Sequence, residues 1–293
     1  MQAHSSETIG EEVRERLGQM TPAERRVARA LLATYPSAGL GSLPQLAESA
    51  GVTGPTVLRF VRKVGFDGYP DFQRSLRQEV QARSEGLSSL YVTRGADAGD
   101  LLGQSRGAFL RALDATLGSS SLSDELDGVV ALLADPKRKV WFVGGRFSHI
   151  TATYLALQLR MLRSGCAVVD QEPTRRVEDA MEIGRRDVVC VFDYRRYQSD
   201  TLHVAAIASE RGAELIVFTD PWLSPAAERA THVLISHADS ASPFDSLLGA
   251  FALTEVIAAQ VVAVLGDRGL ARVNELESMH EVHRAHEVAD GGG

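Results

Sequence analysis

The stretch that decides the architecture is 187–201, DVVCVFDYRRYQSDT. Asp187 to Phe192 is a continuous apolar run behind an acid, the pattern of a strand buried on both faces. Ser199, Asp200 and Thr201 then open a helix that runs to about residue 211, closed by Gly212. A buried strand that runs straight into a helix is half of a βαβ unit. Its junction is unusual. Asp193, Tyr194, Arg195, Arg196, Tyr197 and Gln198 stand where glycines and small hydroxyl residues commonly surround a ligand.

The same grammar repeats on both sides. Strands are predicted at 139–145, 166–170, 187–193, 214–220 and 231–236. Helices are predicted at 101–117, 122–134, 148–164, 174–183 and 199–211, with a short one near 225–230 and a long one at 245–265. Continuous apolar strands followed by helices imply an α/β fold with a parallel sheet covered on both faces. Residues 1–83 are different and wholly helical. TPAE (21–24) is a capping box with Pro22 at the first helical position, and that helix runs to Tyr35, where Pro36 closes it. PSAGLGS follows as a loop, then helical segments at 43–49, 54–64 and 69–84. The domain reading is a helical head at 1–83, a Ser-, Gly- and Asp-rich linker at 84–100, a doubly wound body at 101–266, and a polar tail at 267–293, partly helical and frayed.

The 293 residues are 44% hydrophobic and 24% charged, ordinary globular composition with room for two domains. The net charge of −7 is unevenly shared: the head holds 11 basic against 9 acidic residues, the rest 20 against 29. A slightly basic head on an acidic body points to a head that faces nucleic acid. Cys166 and Cys190 have neither metal-ligand spacing nor a redox pairing, which fits a reducing cytoplasm. No secretory pattern begins the chain. The apolar run 247–265 is long enough to span a bilayer, but it contains Glu255 and Gln260, so a buried core helix is expected and no membrane partner.

Residues 43–72, LPQLAESAGVTGPTVLRFVRKVGFDGYPDF, carry the head's chemistry. Leu43, Leu46, Ala47 and Ala50 give one helix an apolar face; Gly51 permits a sharp turn; Val52 is its buried residue; Thr53 can cap the second helix. Val57, Phe60, Val61 and Val64 point inward, leaving Thr53, Gly54, Thr56, Arg59, Arg62 and Lys63 on or near the outer face. A recognition helix reads base edges from its N-terminal residues while its positive end attracts phosphate. Arg59 suits a bidentate guanine contact, and Thr53, Thr56, Arg62 and Lys63 suit phosphate or sugar. An ordinary helical hairpin with a solvated basic face is the alternative. Residues 20–80, with MTPAERRVARALLATYP and LAESAGVTGPTVLRFVRKVGFDGYPDFQRSL, resemble the DNA-binding domain of the RpiR/MurR transcriptional regulators. The resemblance implies that Thr53, Thr56 and Arg59 face a double-stranded operator and that Tyr69 touches its backbone.

In that family the head joins a SIS domain that senses phosphosugars, and residues 100–265 resemble it in order and spacing. The first strand should end in G-x-G-x-S; here Gly144 and Ser148 match and Arg146 replaces the second glycine. The S-x-S-G-x-T loop that would cradle phosphate is held by DYRRYQSDT, with Asp193 at the first serine, Arg195 and Arg196 in the middle, and Ser199 and Thr201 further on. Three readings stay open. Arg146 and one of the arginine pair hold an anionic effector such as a phosphosugar. A neutral ligand is bound. Or the arginines pair with Asp193, Glu178 or Asp200 and leave no pocket.

Asp245 reads as a helix cap, with a pocket wall as the alternative. His149, His203 and Glu255 are the candidate bases if the chain were a phosphosugar isomerase; a DNA-reading head has no use there, so no enzyme activity is expected. The histidines at 280, 283 and 286 lack further ligands, so neither metal nor cofactor is expected. Paired heads require a two-fold body, so the chain is expected to form a homodimer or a dimer of dimers, with the 247–265 face as its contact.

Overall fold

The computed structural model describes residues 8–33, 35–84, 91 and 99–290. Most of the 84–100 linker therefore lies outside the described residues. The head contains α1 (Ile9–Glu15), α2 (Pro22–Ala33), α3 (Ser37–Leu40), α4 (Leu43–Ser49), α5 (Gly54–Lys63) and α6 (Tyr69–Ser84). The capping box of α2 is formed: Thr21 N–H donates to Glu24 Oε2 at 2.8 Å and Glu24 N–H to Thr21 Oγ1 at 3.4 Å. The turn of helix α3 replaces the loop expected after Pro36. A Cβ at Gly39 would lie 2.3 Å from Leu76 Cδ1 and 2.9 Å from Leu31 Cδ1, so glycine lets this turn press against α2 and α6. Tertiary contact outweighs glycine's poor helix propensity here. Val13, Val27, Leu31, Leu46, Val57, Phe60, Val61, Phe72 and Leu76 form one core that fixes α5 against its neighbours.

The body begins with α7 (Leu101–Leu117) and α8 (Ser120–Ala134). Then follow β1 (Val140–Gly144), α9 (Ser148–Leu162), β2 (Cys166–Val168), α10 (Pro173–Glu182), β3 (Val188–Phe192), α11 (Ser199–Glu210), β4 (Glu214–Thr219), a 3-10 turn (Pro225–Arg229), β5 (His232–Ile235) and α12 (Leu248–Leu265). The five strands form one parallel sheet in the order β2-β1-β3-β4-β5. Alternation along each strand feeds two cores. Phe142, Phe192 and Phe218 meet α8, α9 and α12; Val143, Val191 and Val217 meet α10 and α11.

Helix α12 is long and apolar enough to cross a membrane, but Leu253, Ile257 and Val261 are wholly buried in the body's core. The polar tail, expected to be partly helical, contains α13 (Asp267–Asp290), split from α12 at Gly266 with φ +49°. Its first turns pack on α9, where Gly269 comes close to Leu162. That stretch has no proline and abundant Glu, Arg, Leu and Ala, which favour helix.

Strand order reverses between β1 and β3, which opens a crevice at their carboxyl ends. Gly144 closes β1 there, and a Cβ would meet the backbone nitrogen of His149 at 2.6 Å. The partner is backbone and cannot swing aside. Gly144→Ala is therefore expected to destabilise the body by about 1–3 kcal/mol, read as a lower urea midpoint with an unchanged slope.

Candidate effector pocket and DNA-reading helix

The crevice holds a pocket of about 500 Å³. Its walls are the turn after β1 (Gly145, Arg146, Phe147, Ser148), the loop after β3 (Asp193 to Arg196 and Gln198), and the segment before α12 (Phe244, Asp245, Leu247). Ser148 staples the first two walls. Its Oγ accepts Gly145 N–H at 2.9 Å and donates to Phe192 O at 2.6 Å. Gln198 adds a second staple, since Oε1 accepts Arg146 N–H and its own N–H donates to Asp193 Oδ1 at 3.2 Å.

Two strands end in buried acids. Asp193 after β3 is 1% exposed and accepts Ser224 Oγ at 2.5 Å. Burial pushes its carboxyl up to about 6; Ser224 and Gln198 pull it down, and Asp220 and Asp200 push it further up. Asp220 after β4 is also fully buried. It accepts Arg195 N–H, Tyr197 OH at 2.7 Å and Trp222 N–H at 3.0 Å.

The arginines divide. Arg195 forms a fork with Asp245, Nε to Oδ2 at 3.1 Å and Nη2 to Oδ1 at 2.6 Å, and lies over the Trp222 ring. Its partner is thus none of Asp193, Glu178 or Asp200; Asp200 instead takes Arg176. Asp245 is correspondingly no helix cap: α12 starts three residues later, and Asp245 is a charged strut of the pocket wall. Arg146 and Arg196 also line the pocket, and among the described residues neither side chain has an acid partner. Arg196 sits at φ +82°, a left-handed conformation that costs a non-glycine residue roughly 1–3 kcal/mol.

Three sequence candidates fall away from the pocket wall. The Gly144 carbonyl is taken by Arg176 Nη2 at 2.9 Å. Ser199 is exposed beyond the loop, and Thr201 is fully buried, its hydroxyl without a hydrogen-bond partner among the described residues. His149 lies behind the β1 turn, with Nδ1 2.8 Å from Gln171 Nε2; burial first, then Arg176, pull its pKa down. Neither His203 nor Glu255 lines the pocket, and Glu255 accepts Tyr154 OH. The sequence reading missed Asp220 and Phe244, and placed Gln198 in the ligand loop without a role. A signal for Asp220 was present: CVFD and VFTD end neighbouring strands with the same acid.

In the head, Thr53, Arg59 and Arg62 are exposed along α5 and Gly54 is half-buried at its start. Arg59 Nη2 donates to Thr56 Oγ1 at 3.3 Å. Five expectations change. Thr53 is the N-cap residue, but its hydroxyl meets Thr56 Oγ1 at 3.3 Å rather than capping the backbone. Thr56 is buried, and Val52 is only half-buried. Lys63 turns back to Glu24 at 3.1 Å and Gln19 O at 2.6 Å. Tyr69 is buried and donates to Gly39 O and Gly41 O, which ties α6 to α3 rather than presenting a hydroxyl outward. The side chains of 280, 283 and 286 lie outside the described residues; no metal-ligating cluster occurs among the described ones.

Residues 8–83 match the helix-turn-helix domain of the rpiR family, and residues 132–265 match the SIS domain. The chain therefore belongs to the RpiR-type transcriptional regulators, a helix-turn-helix head joined to a SIS body. It is 29% identical over 227 residues to the HTH-type transcriptional regulator HexR of Pseudomonas aeruginosa, covering 75% of this chain and 76% of that one. It is 27% identical over 226 residues to HexR of Escherichia coli, covering 75% of each. Its fold is similar to the sugar isomerase domain of an RpiR transcription factor from Sphaerobacter thermophilus (TM-score 0.58, 23% identity, 61% of this chain and 99% of that one). It is also similar to the Vibrio vulnificus NanR protein complexed with ManNAc-6P (TM-score 0.52, 18% identity, 93% and 97%).

Asp193 offers a direct check of the pocket's electrostatics. A carboxyl raised from 3.8 to about 6 adds stability below about pH 4 that is lost as pH rises through about 6. Asp193→Asn is expected to flatten that fall and to stabilise the protein at pH 7.5 by about 1–3 kcal/mol, measured by urea unfolding across pH 4–8.

Proposed function

We propose that this regulator binds operator DNA through α5 and that an anionic metabolite of the sugar-phosphate class, bound in the β1/β3 pocket, alters that binding. The carrying observation is the pair Arg146 and Arg196, two guanidiniums without acid partners among the described residues, lining a pocket whose other cation, Arg195, is already matched by Asp245. A guanidinium fork suits phosphate or carboxylate, and the pocket lies where open parallel sheets place ligands. NanR, complexed with a sugar phosphate, has a similar fold. The apolar rings of Phe147 and Phe244 line the same pocket and suit the carbon face of a sugar.

In the head, Arg59 is proposed to contact a base edge, with Thr53 and Arg62 on phosphates; Thr56 supports Arg59 from below. Homodimerisation is proposed through α9 rather than the expected α12 face. Phe147, just before α9, and Ile150, Leu157 and Met161 along it are exposed at helical spacing, a longer apolar stripe than Leu248, Val262 and Val264 leave exposed on α12. Sedimentation at micromolar concentration should give a dimer; a monomer would contradict this.

A thermal-shift panel of glucose 6-phosphate, N-acetylmannosamine 6-phosphate and inorganic phosphate, each against its unphosphorylated counterpart where one exists, tests the pocket. Only phosphorylated compounds should raise the melting temperature, and Arg146→Ala with Arg196→Ala should remove the shift while leaving the unliganded melting temperature within about 2 °C. A response to the neutral sugars in the double variant would overturn the anion reading. Arg59→Ala should cost about 1–3 kcal/mol of discrimination between operator and random DNA, measured by gel-shift titration at fixed salt.

A further inference from the structure

Helix α1 joins the two functional sites. At its start, Thr8 Oγ1 donates to Pro221 O at 3.2 Å, and Glu11 Oε1 lies 3.0 Å from Nε2 of the buried His237. Between helix and body is a void of about 30 Å³, bordered by Glu11, Arg14, Ser119 and His237. Each anchor on the body is one residue from a group that the pocket loop holds. Asp220 precedes Pro221 and accepts Arg195 N–H and Tyr197 OH. Ser236 precedes His237 and donates to Tyr194 OH at 3.0 Å. At the other end of α1, Arg16 Nη1 donates to Lys63 O, the last residue of α5, at 2.5 Å. Ile9 and Val13 lie in the head's core.

We propose that α1 is the lever through which occupancy of the pocket sets the position of the DNA-reading helix. The inference rests on the effector reading given above. A ligand that draws on Arg196 acts on a loop already held at a positive φ, and that loop is bonded to Asp220 and Ser236, the residues just before both anchors of α1. The anchors are buried hydrogen bonds within packed surroundings, so they are either seated or broken rather than gradually stretched. The ligand then shifts the balance only by its unequal affinity for the two arrangements. Tyr197, which contributes nothing to the pocket wall, becomes a positioning residue for a helix in the other domain.

Hydrogen exchange on the full-length protein tests the wiring without a ligand. Tyr197→Phe removes the hydroxyl bond to Asp220, and His237→Leu, which has no donor, removes the pair with Glu11. Both should speed exchange of the Ile9–Glu15 amides by at least about fivefold, leave the amides of β1, β3 and β4 unchanged, and combine less than additively. Should His237→Leu fail to fold, Glu11→Gln takes the charge out of the same pair from the head. The second arm measures operator affinity with and without glucose 6-phosphate, or N-acetylmannosamine 6-phosphate if that is the compound that shifts wild-type melting. His237→Leu should still bind the sugar phosphate but lose the response of DNA affinity, to less than about twofold. Wild-type exchange in Tyr197→Phe, or a full DNA response in His237→Leu, would overturn the lever. If neither sugar phosphate binds even the wild type, the effector reading fails, and the exchange arm alone decides whether α1 is wired to the loop.

Discussion

Two carboxylates, Asp193 and Asp220, are sealed at the carboxyl ends of adjacent strands, and the geometry of the pocket follows from the need to satisfy them. A buried acid without partners is costly, so the chain folds its donors around both. Ser224 and the Gln198 amide serve Asp193; Tyr197, Trp222 and the Arg195 amide serve Asp220. The loop 193–198 is consequently pinned at several points, and the turn it makes leaves Arg196 at a positive φ. Asp193 carries the penalty of this arrangement as a raised pKa.

The same demand for neutrality sorts the arginines. Arg195 enters the wall and is matched by Asp245, so its charge is spent on architecture. Removing Arg195 would strand a half-buried carboxylate and break the link between the loop and the segment before α12, which makes it a poor probe of ligand binding. Arg146 and Arg196, which have no acid partner among the described residues, are the cations that the proposed anion would meet. The loop that resembles a phosphate cradle only in position thus recovers cationic character from side chains, where glycine and serine would have offered backbone N–H groups.

The sheet was legible because its strands are unbroken apolar runs and its helices keep their period; each predicted strand overlaps an observed one, with ends trimmed by a residue or two. The helix-turn-helix was legible for the same reason, with Val57, Phe60, Val61 and Val64 buried as their spacing requires. What stayed hidden depends on contacts distant in sequence. Arg195 finds Asp245 fifty residues away, a pairing no local pattern encodes. Tyr69 is drawn inward by the carbonyls of Gly39 and Gly41, and Lys63 by Glu24 and Gln19, so both leave the face that helical geometry alone would assign them. Helix α3 exists because Gly39 fits against Leu76 and Leu31, and that fit cannot be read from PSAGLGS.

The central claim is that the pocket and the DNA-reading head are mechanically one unit joined through α1. Spin labels at the exposed positions Arg25 on α2 and Glu210 on α11, in a Cys166→Ser background with Cys190 left buried, report the distance between head and body. The measurement is the distance distribution before and after saturation with the sugar phosphate that raises the melting temperature. The account requires two resolved distances whose populations exchange on ligand addition. A single unchanged distribution at saturating ligand would contradict it.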